Sequence, residues 1–142
     1  MLKRVDIVGN PNVGVFTLAT DDLAIVPYNL LDEKAEIIKE TLEVDVVKSS
    51  ISGSSLIGSL AVANSNGMVV SPQVLDREIE QFEELGINVA TVPGKYTALG
   101  NIIAANDKGA IVSPFLSEEA INIIENTLDV NVEALPWLEA TS

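Results

Sequence analysis

The sequence predicts an α+β fold of three ββαβ repeats gathered about a pseudo-symmetry axis, with strands inside and helices outside. Two observations carry that prediction. Residues 13–20, 57–64 and 99–106 each read as an aliphatic residue, a glycine, and an apolar run ending in Thr or Asn. The glycines Gly14, Gly58 and Gly100 stand 44 and 42 residues apart, and Pro27, Pro72 and Pro114 follow them by 13 or 14 residues. A fixed period in that range marks one supersecondary unit used several times. The repeats fall at about 1–50, 51–94 and 95–136 of a single domain, with a tail over 137–142.

The first repeat turns at Asp21-Asp22. Its helix runs from about Asp32 to Glu43 with Ala35, Ile38 and Leu42 inward, and its closing strand is built on Val44, Val46 and Val47. In the second, residues 56–63 read as a buried strand, short, apolar and bounded by Gly and Asn. Asn64-Ser65-Asn66-Gly67 is a hairpin turn, because Asn and Gly tolerate positive φ. Met68-Val69-Val70 returns as a strand that Pro72 ends. Asp76 caps a helix with Ile79, Phe82 and Leu85 on one side, Gly86 stops it, and residues 87–92 form the third strand. The third repeat repeats the plan: strand 99–105, turn 106–109, strand 110–112, a helix capped by Ser117 with Glu118 and Glu119 in its first turn, a stripe of Ile121, Ile124 and Leu128, and strand 130–134. Pro93-Gly94 marks a joint. One such unit cannot bury both its helix and its sheet, so the units pack sideways. A radial array suits short strands with one helix each, and a linear solenoid is the competing geometry.

The composition narrows the chemistry. The 142 residues are 47% hydrophobic but only 4% aromatic, so the core is aliphatic. There is no cysteine and no histidine, which removes disulfides, thiolate nucleophiles and the commonest general base and metal ligand. Eight basic against 21 acidic residues give a net charge of −13. That balance repels phosphate, so sequence-specific nucleic-acid binding is not expected, whereas a basic protein partner is attracted. Neither a signal peptide nor a membrane span is expected, because Asp6, Gly9 and Pro11 interrupt the start and no apolar run approaches the roughly 20 residues that a span needs. A reducing cytoplasmic location is the expectation.

Three segments carry a family resemblance. Residues 53–64, Thr97-Ala98-Leu99-Gly100-Asn101 and Asn106-Asp107-Lys108-Gly109-Ala110-Ile111-Val112-Ser113-Pro114 resemble signature segments of the archaeal and eukaryotic translation initiation factor 6 family, the archaeal branch most nearly. The likeness runs from Met1 to about Pro136. It implies a pentein-like α/β-propeller, a closed ring of five ββαβ-type units, and a non-catalytic factor that binds the large ribosomal subunit through a basic ribosomal protein and blocks subunit association. It places the partner contact at Leu99-Gly100-Asn101 and, by repeat logic, at Gly14-Val15 and Gly58-Ser59, with Asn101 foremost. Family members have five repeats and this chain has three. The alternative is therefore a truncated or engineered three-repeat scaffold that folds without binding ribosomes. The segments 5–8 and 130–135 are the two end strands. If they pair, the chain is a closed monomeric ring, which their short, valine-rich character favours; if not, chains associate. Trp137 reads as a plug over an open edge.

Other chemistry lacks the residues it needs. Residues 53–59 have the spacing of a phosphate loop but Ser59 stands where lysine belongs, so they read as a small-residue turn. Ser54 and Ser55 have no histidine to activate them. Enzymes of the pentein fold that modify guanidino groups use Cys and His, which are absent here. Asp21-Asp22 and Glu118-Glu119 sit where turns and helix starts favour acids. No catalytic residue, metal or cofactor is expected.

Overall fold

The computed structural model describes residues 13–135. The expected strand over 5–8 and the tail with Trp137 lie outside the described residues. A helical turn, α1 (Val13–Phe16), opens the first unit, followed by β1 (Leu18–Ala19), β2 (Leu23–Pro27), α2 (Asp32–Leu42) and β3 (Asp45–Ser49). The second unit holds the turn α3 (Ile57–Leu60), β4 (Ala61–Asn64), β5 (Gly67–Val70), α4 (Asp76–Glu84) and β6 (Val89–Thr91). The third holds a 3-10 turn (Leu99–Asn101), β7 (Ile103–Ala105), β8 (Gly109–Val112), α5 (Glu118–Leu128) and β9 (Asn131–Ala134). Each unit makes its own three-stranded sheet, in the orders β1-β2-β3, β4-β5-β6 and β7-β8-β9. The first two strands of each pair antiparallel through a tight turn, and the second and third pair parallel. Parallel pairing needs a long crossover, and the helix supplies it.

The central strands show how the units stack. Successive side chains of a strand point to opposite faces. Ala24 and Val26 of β2 share a buried cluster with Ile38 of α2, the helix of their own unit. Ile25, between them, points the other way and shares a cluster with Phe82 of α4, the helix of the next unit, together with Met68 and Val70 of β5. Val69 then points onward into a third cluster with Ile124 and Leu128 of α5 and Val112 of β8. Each helix from α4 onward is thus wedged between its own sheet and the preceding one. Burying side chains such as Phe82, Ile124 and Leu128 fully contributes about 1.5–3 kcal/mol each. The first strands β1, β4 and β7 lie beside one another, and the long helices α2, α4 and α5 pack on second and third strands.

Among the described residues the row has two uncovered ends. Leu42, the α2 counterpart of Leu128, is 48% exposed, whereas Leu128 is 0% exposed. The difference is that α5 has a preceding sheet to enter and α2 has none among the described residues. At the other end Ile111, in register with Ile25 and Val69, lies beside the exposed Ala104 and Glu133. Among the described residues the units form a row, and the ring closure expected from pairing of segments 5–8 and 130–135 falls on residues outside them.

Four further expectations change. Residues 56–63 and 99–105 are not continuous strands: each begins with a helical or 3-10 turn and only then extends. The turn at 64–67 does not use positive φ, since neither Asn64, Asn66 nor Gly67 has it. Asn64 Oδ1 instead accepts from the Asn66 and Gly67 N–H groups, and Asn106 Oδ1 does the same for Lys108 and Gly109. These are Asx turns, in which a side chain imitates backbone. Asp76 is the first residue of α4 rather than its cap; Leu75 precedes it, and its N–H is taken up by Glu78 Oε1 at 2.9 Å. Leu85, expected inward, is exposed. Ser117 caps α5 as expected, accepting from Ala120 N at 3.1 Å.

Candidate functional site

The three glycine turns come together in a row. α1 touches α3, and α3 touches the 3-10 turn. The closeness is extreme where the 3-10 turn meets α3. A Cβ built on Gly100 would stand 2.1 Å from the carbonyl oxygen of Gly58 and 3.0 Å from the carbonyl carbon of Ser59. No side chain fits there, so glycine is required by backbone approach rather than by φ. The turns are anchored from beneath: Ile57 and Leu99, at the same position in their turns, are both 0% exposed. Short local bonds hold their shape, Ser59 N to Leu56 O at 3.1 Å and Asn101 N to Ala98 O at 3.0 Å.

All six residues expected to meet a partner lie in this row. Gly14 and Val15 are in α1, Gly58 and Ser59 in α3, Gly100 and Asn101 in the 3-10 turn. Val15, Gly58, Ser59 and Gly100 are half-buried. Asn101 is exposed, and its amide has no hydrogen-bond partner among the described residues. The surface is backbone and small side chains with one free amide. It can offer shape and hydrogen bonds, and among its described residues it holds no ionisable side chain.

At the opposite end of the first strands, the hairpin tips meet. Asn64 Nδ2 donates across the unit boundary to Asn106 O at 3.1 Å and to Leu128 O at 2.8 Å, and Asn66 Nδ2 donates to Leu128 O at 2.9 Å. Asp107 accepts from the Ser65 N–H at 2.8 Å and the Ser65 hydroxyl at 2.6 Å, and these bonds hold its carboxyl below the ordinary value. Asp21 and Asp22 lie at the same end, in the first hairpin. Lys48 and Asp32 form an ion pair that lowers the Asp32 pKa. Among the described residues no group of three or more His, Cys, Asp or Glu side chains converges as a metal ion would need.

A buried carboxylate was not anticipated. Glu78, 2% exposed, accepts from the Ser52, Gly53 and Leu75 N–H groups at 2.7, 2.9 and 2.9 Å and from the Ser50 hydroxyl. Ser52 and Gly53 both have positive φ, which turns their N–H groups inward toward the same point. The cradle is built by Ser50, Ser52, Gly53 and Leu75, so of the segment with phosphate-loop spacing, 53–59, only Gly53 takes part in it. Burial alone would raise the Glu78 pKa; the Ser50 hydroxyl and the Leu75, Gly53 and Ser52 N–H groups outweigh it and lower it. The sequence signal was an acid three residues beyond the residue that precedes a helix.

The fold is of pentein type, and its glycine turns lie together in one row. A solved structure of dimethylarginine dimethylaminohydrolase, as an adduct with S-methyl-L-thiocitrulline, matches 91% of the chain with a TM-score of 0.51 at 18% identity, covering 54% of that protein, a likeness of fold alone. Residues 2–136 match the eIF-6 family, and the chain belongs to that family. It is 78% identical over 134 residues to translation initiation factor 6 of Methanobrevibacter smithii, covering 94% of this chain and 60% of that protein. The corresponding factor of Methanothermobacter thermautotrophicus is 47% identical over 133 residues, with 94% and 60% coverage, and that of Pyrococcus abyssi 44% over 138 residues, with 93% and 61%. The chain spans about 60% of the length of these relatives. No helix among the described residues is long and apolar enough to cross a membrane.

Proposed function

We propose that this chain contributes to a cytoplasmic, non-catalytic factor that binds the large ribosomal subunit and keeps the subunits apart. The single observation that carries this reading, beside family membership, is the row of glycine turns: residues far apart in sequence lie side by side with Asn101 exposed among them. Gly14, Val15, Gly58, Ser59, Gly100 and Asn101 are the contact residues. The net charge of −13 favours a basic ribosomal protein as the partner over ribosomal RNA. Sedimentation with purified archaeal large subunits tests it. The protein is expected to pellet at micromolar concentration, and Asn101→Asp, an almost isosteric change on an exposed residue, is expected to weaken pelleting about tenfold without altering the circular dichroism spectrum. Wild-type protein left in the supernatant, while a full-length relative pellets, refutes the reading for this chain.

A second reading is a scaffold that folds without ribosome affinity. The observation favouring it is that the chain spans about 60% of its relatives' length. The same sedimentation separates the two.

A further inference from the structure

The two gaps between consecutive sheets are filled to different depths. Between the second and third sheets, α5 ends at the fully buried Leu128 and exits through Asp129, φ 53. Thr127 presses on Gly67, where a Cβ would stand 2.6 Å from the Thr127 carbonyl oxygen. The Asn64 and Asn66 amides close the gap by donating to Leu128 O. Between the first and second sheets, α4 has 9 residues against 11 in α5, and its left-handed exit, Gly86 at φ 83, comes one residue sooner after the residue preceding the helix. The hairpin registers place Thr20, Asp22 and Leu23 where Asn64, Asn66 and Gly67 stand. Leu23 occupies the space that Gly67 leaves for Thr127, so α4 stops short, and Leu85 is 48% exposed where Leu128 is buried.

What remains is a cavity of about 320 Å³, walled by Leu18 and Ile25 on one side and Met68, Leu85 and Ile87 on the other. Asp22 and Asp45 also line it, joined by a bond from Asp45 N to Asp22 O at 3.2 Å. Its size is that of a ligand pocket. We propose that this cavity takes a segment of a basic polypeptide, with an aliphatic side chain entering between the sheets and an adjacent lysine or arginine meeting Asp22 and Asp45. The neighbouring gap is the template for the aliphatic part, because a leucine fills it there. The charge follows from the exchange of donors for acceptors: where Asn66 donates to a helix carbonyl, Asp22 offers a carboxylate, so the occupant brings the donors. The inference rests on the reading of a basic protein partner, but its test needs no ribosome.

The protein has two methionines, so methyl-labelled methionine gives two signals, and Met68→Leu identifies the one at the cavity wall. Titration with acetyl-Leu-Lys-Lys-amide is expected to shift the Met68 methyl saturably, with a dissociation constant on the order of millimolar. Acetyl-Leu-Glu-Glu-amide is expected to leave it unmoved. Asp22→Asn with Asp45→Asn, both exposed, is expected to weaken binding about tenfold. Leu85→Trp, which fills the cavity from an exposed position, is expected to abolish it with the thermal midpoint unchanged. No saturable shift in the wild type, an equal response to the acidic peptide, or undiminished binding in the double variant overturns the proposal. Pelleting with ribosomes alongside any of these results would leave the proposed function standing without this site.

Discussion

At the scale of a residue, Glu78 does most to join two units. One carboxylate on α4 gathers two backbone N–H groups and a hydroxyl from the linker after β3, besides the Leu75 N–H at its own helix start, so the second unit's helix holds the first unit's exit. Removing it leaves those inward-turned donors unpaired, and Glu78→Ala is expected to cost on the order of 3 kcal/mol. Glu78→Gln keeps two acceptor bonds but sets an amide donor against the Gly53 N–H, at about 2 kcal/mol. The lowered pKa fixes the pH dependence. A carboxyl whose folded pKa lies below its unfolded value contributes its stability above the ordinary 4.5 and loses it as pH falls through the folded value. Wild-type protein is therefore expected to lose more thermal midpoint than Glu78→Gln between about pH 7 and pH 3. Parallel loss in the two proteins would show that the acid sensitivity resides elsewhere.

At the scale of an element, the glycine turns are the most demanding. Gly100→Ala drives a methyl into the Gly58 carbonyl, and backbone on both sides must give way. A loss of about 3 kcal/mol or more is expected by denaturant titration, with Asn101→Ala beside it costing little. A Gly100→Ala protein as stable as wild type would mean that the turns are free to part. These turns also mark how far the sequence could be read. The hairpins, the three helices and the Ser117 cap were legible because each is specified locally, by alternation, by a 3.6-residue stripe or by a cap. The residues of the turn row could be named as well, since the repeat singles out Gly14, Gly58 and Gly100. Their conformation could not: residues 56–63 are apolar without a period, and what folds Ile57–Leu60 into a turn is contact with Leu99–Asn101, some forty residues away. The exposure of Leu42 and Leu85 was hidden for the same reason. Their stripes are correct, but a stripe is buried only if a neighbouring sheet reaches it.

At the scale of the whole molecule, the open ends decide association. Leu31, Ile37 and Leu42 are exposed on and before α2, and the outer face of the third sheet presents Ala104 and Ile111. Gly109 stands there in the place of Gly67, with only Asn131 O within reach of a Cβ, at 3.6 Å, so this face already has the clearance that a long helix needs. Among the described residues these faces are uncovered, and apolar faces that stay bare draw copies together head to tail. Light scattering should show a mass that rises with concentration, whereas a constant mass near 15.1 kDa would mean that the ends are covered within one chain. The wedging of each helix against the sheet before it has another consequence, for where the chain can be cut. A module that folds alone is out of phase with the written repeat: it starts at one sheet and closes with the helix of the next. Cleavage at the Pro93-Gly94 joint, the natural place to divide the repeats, would strip α5 from Val62 and Val69 and leave the second sheet bare on one side. A fragment carried through Leu128 keeps that face dry, although it stops in the middle of a repeat.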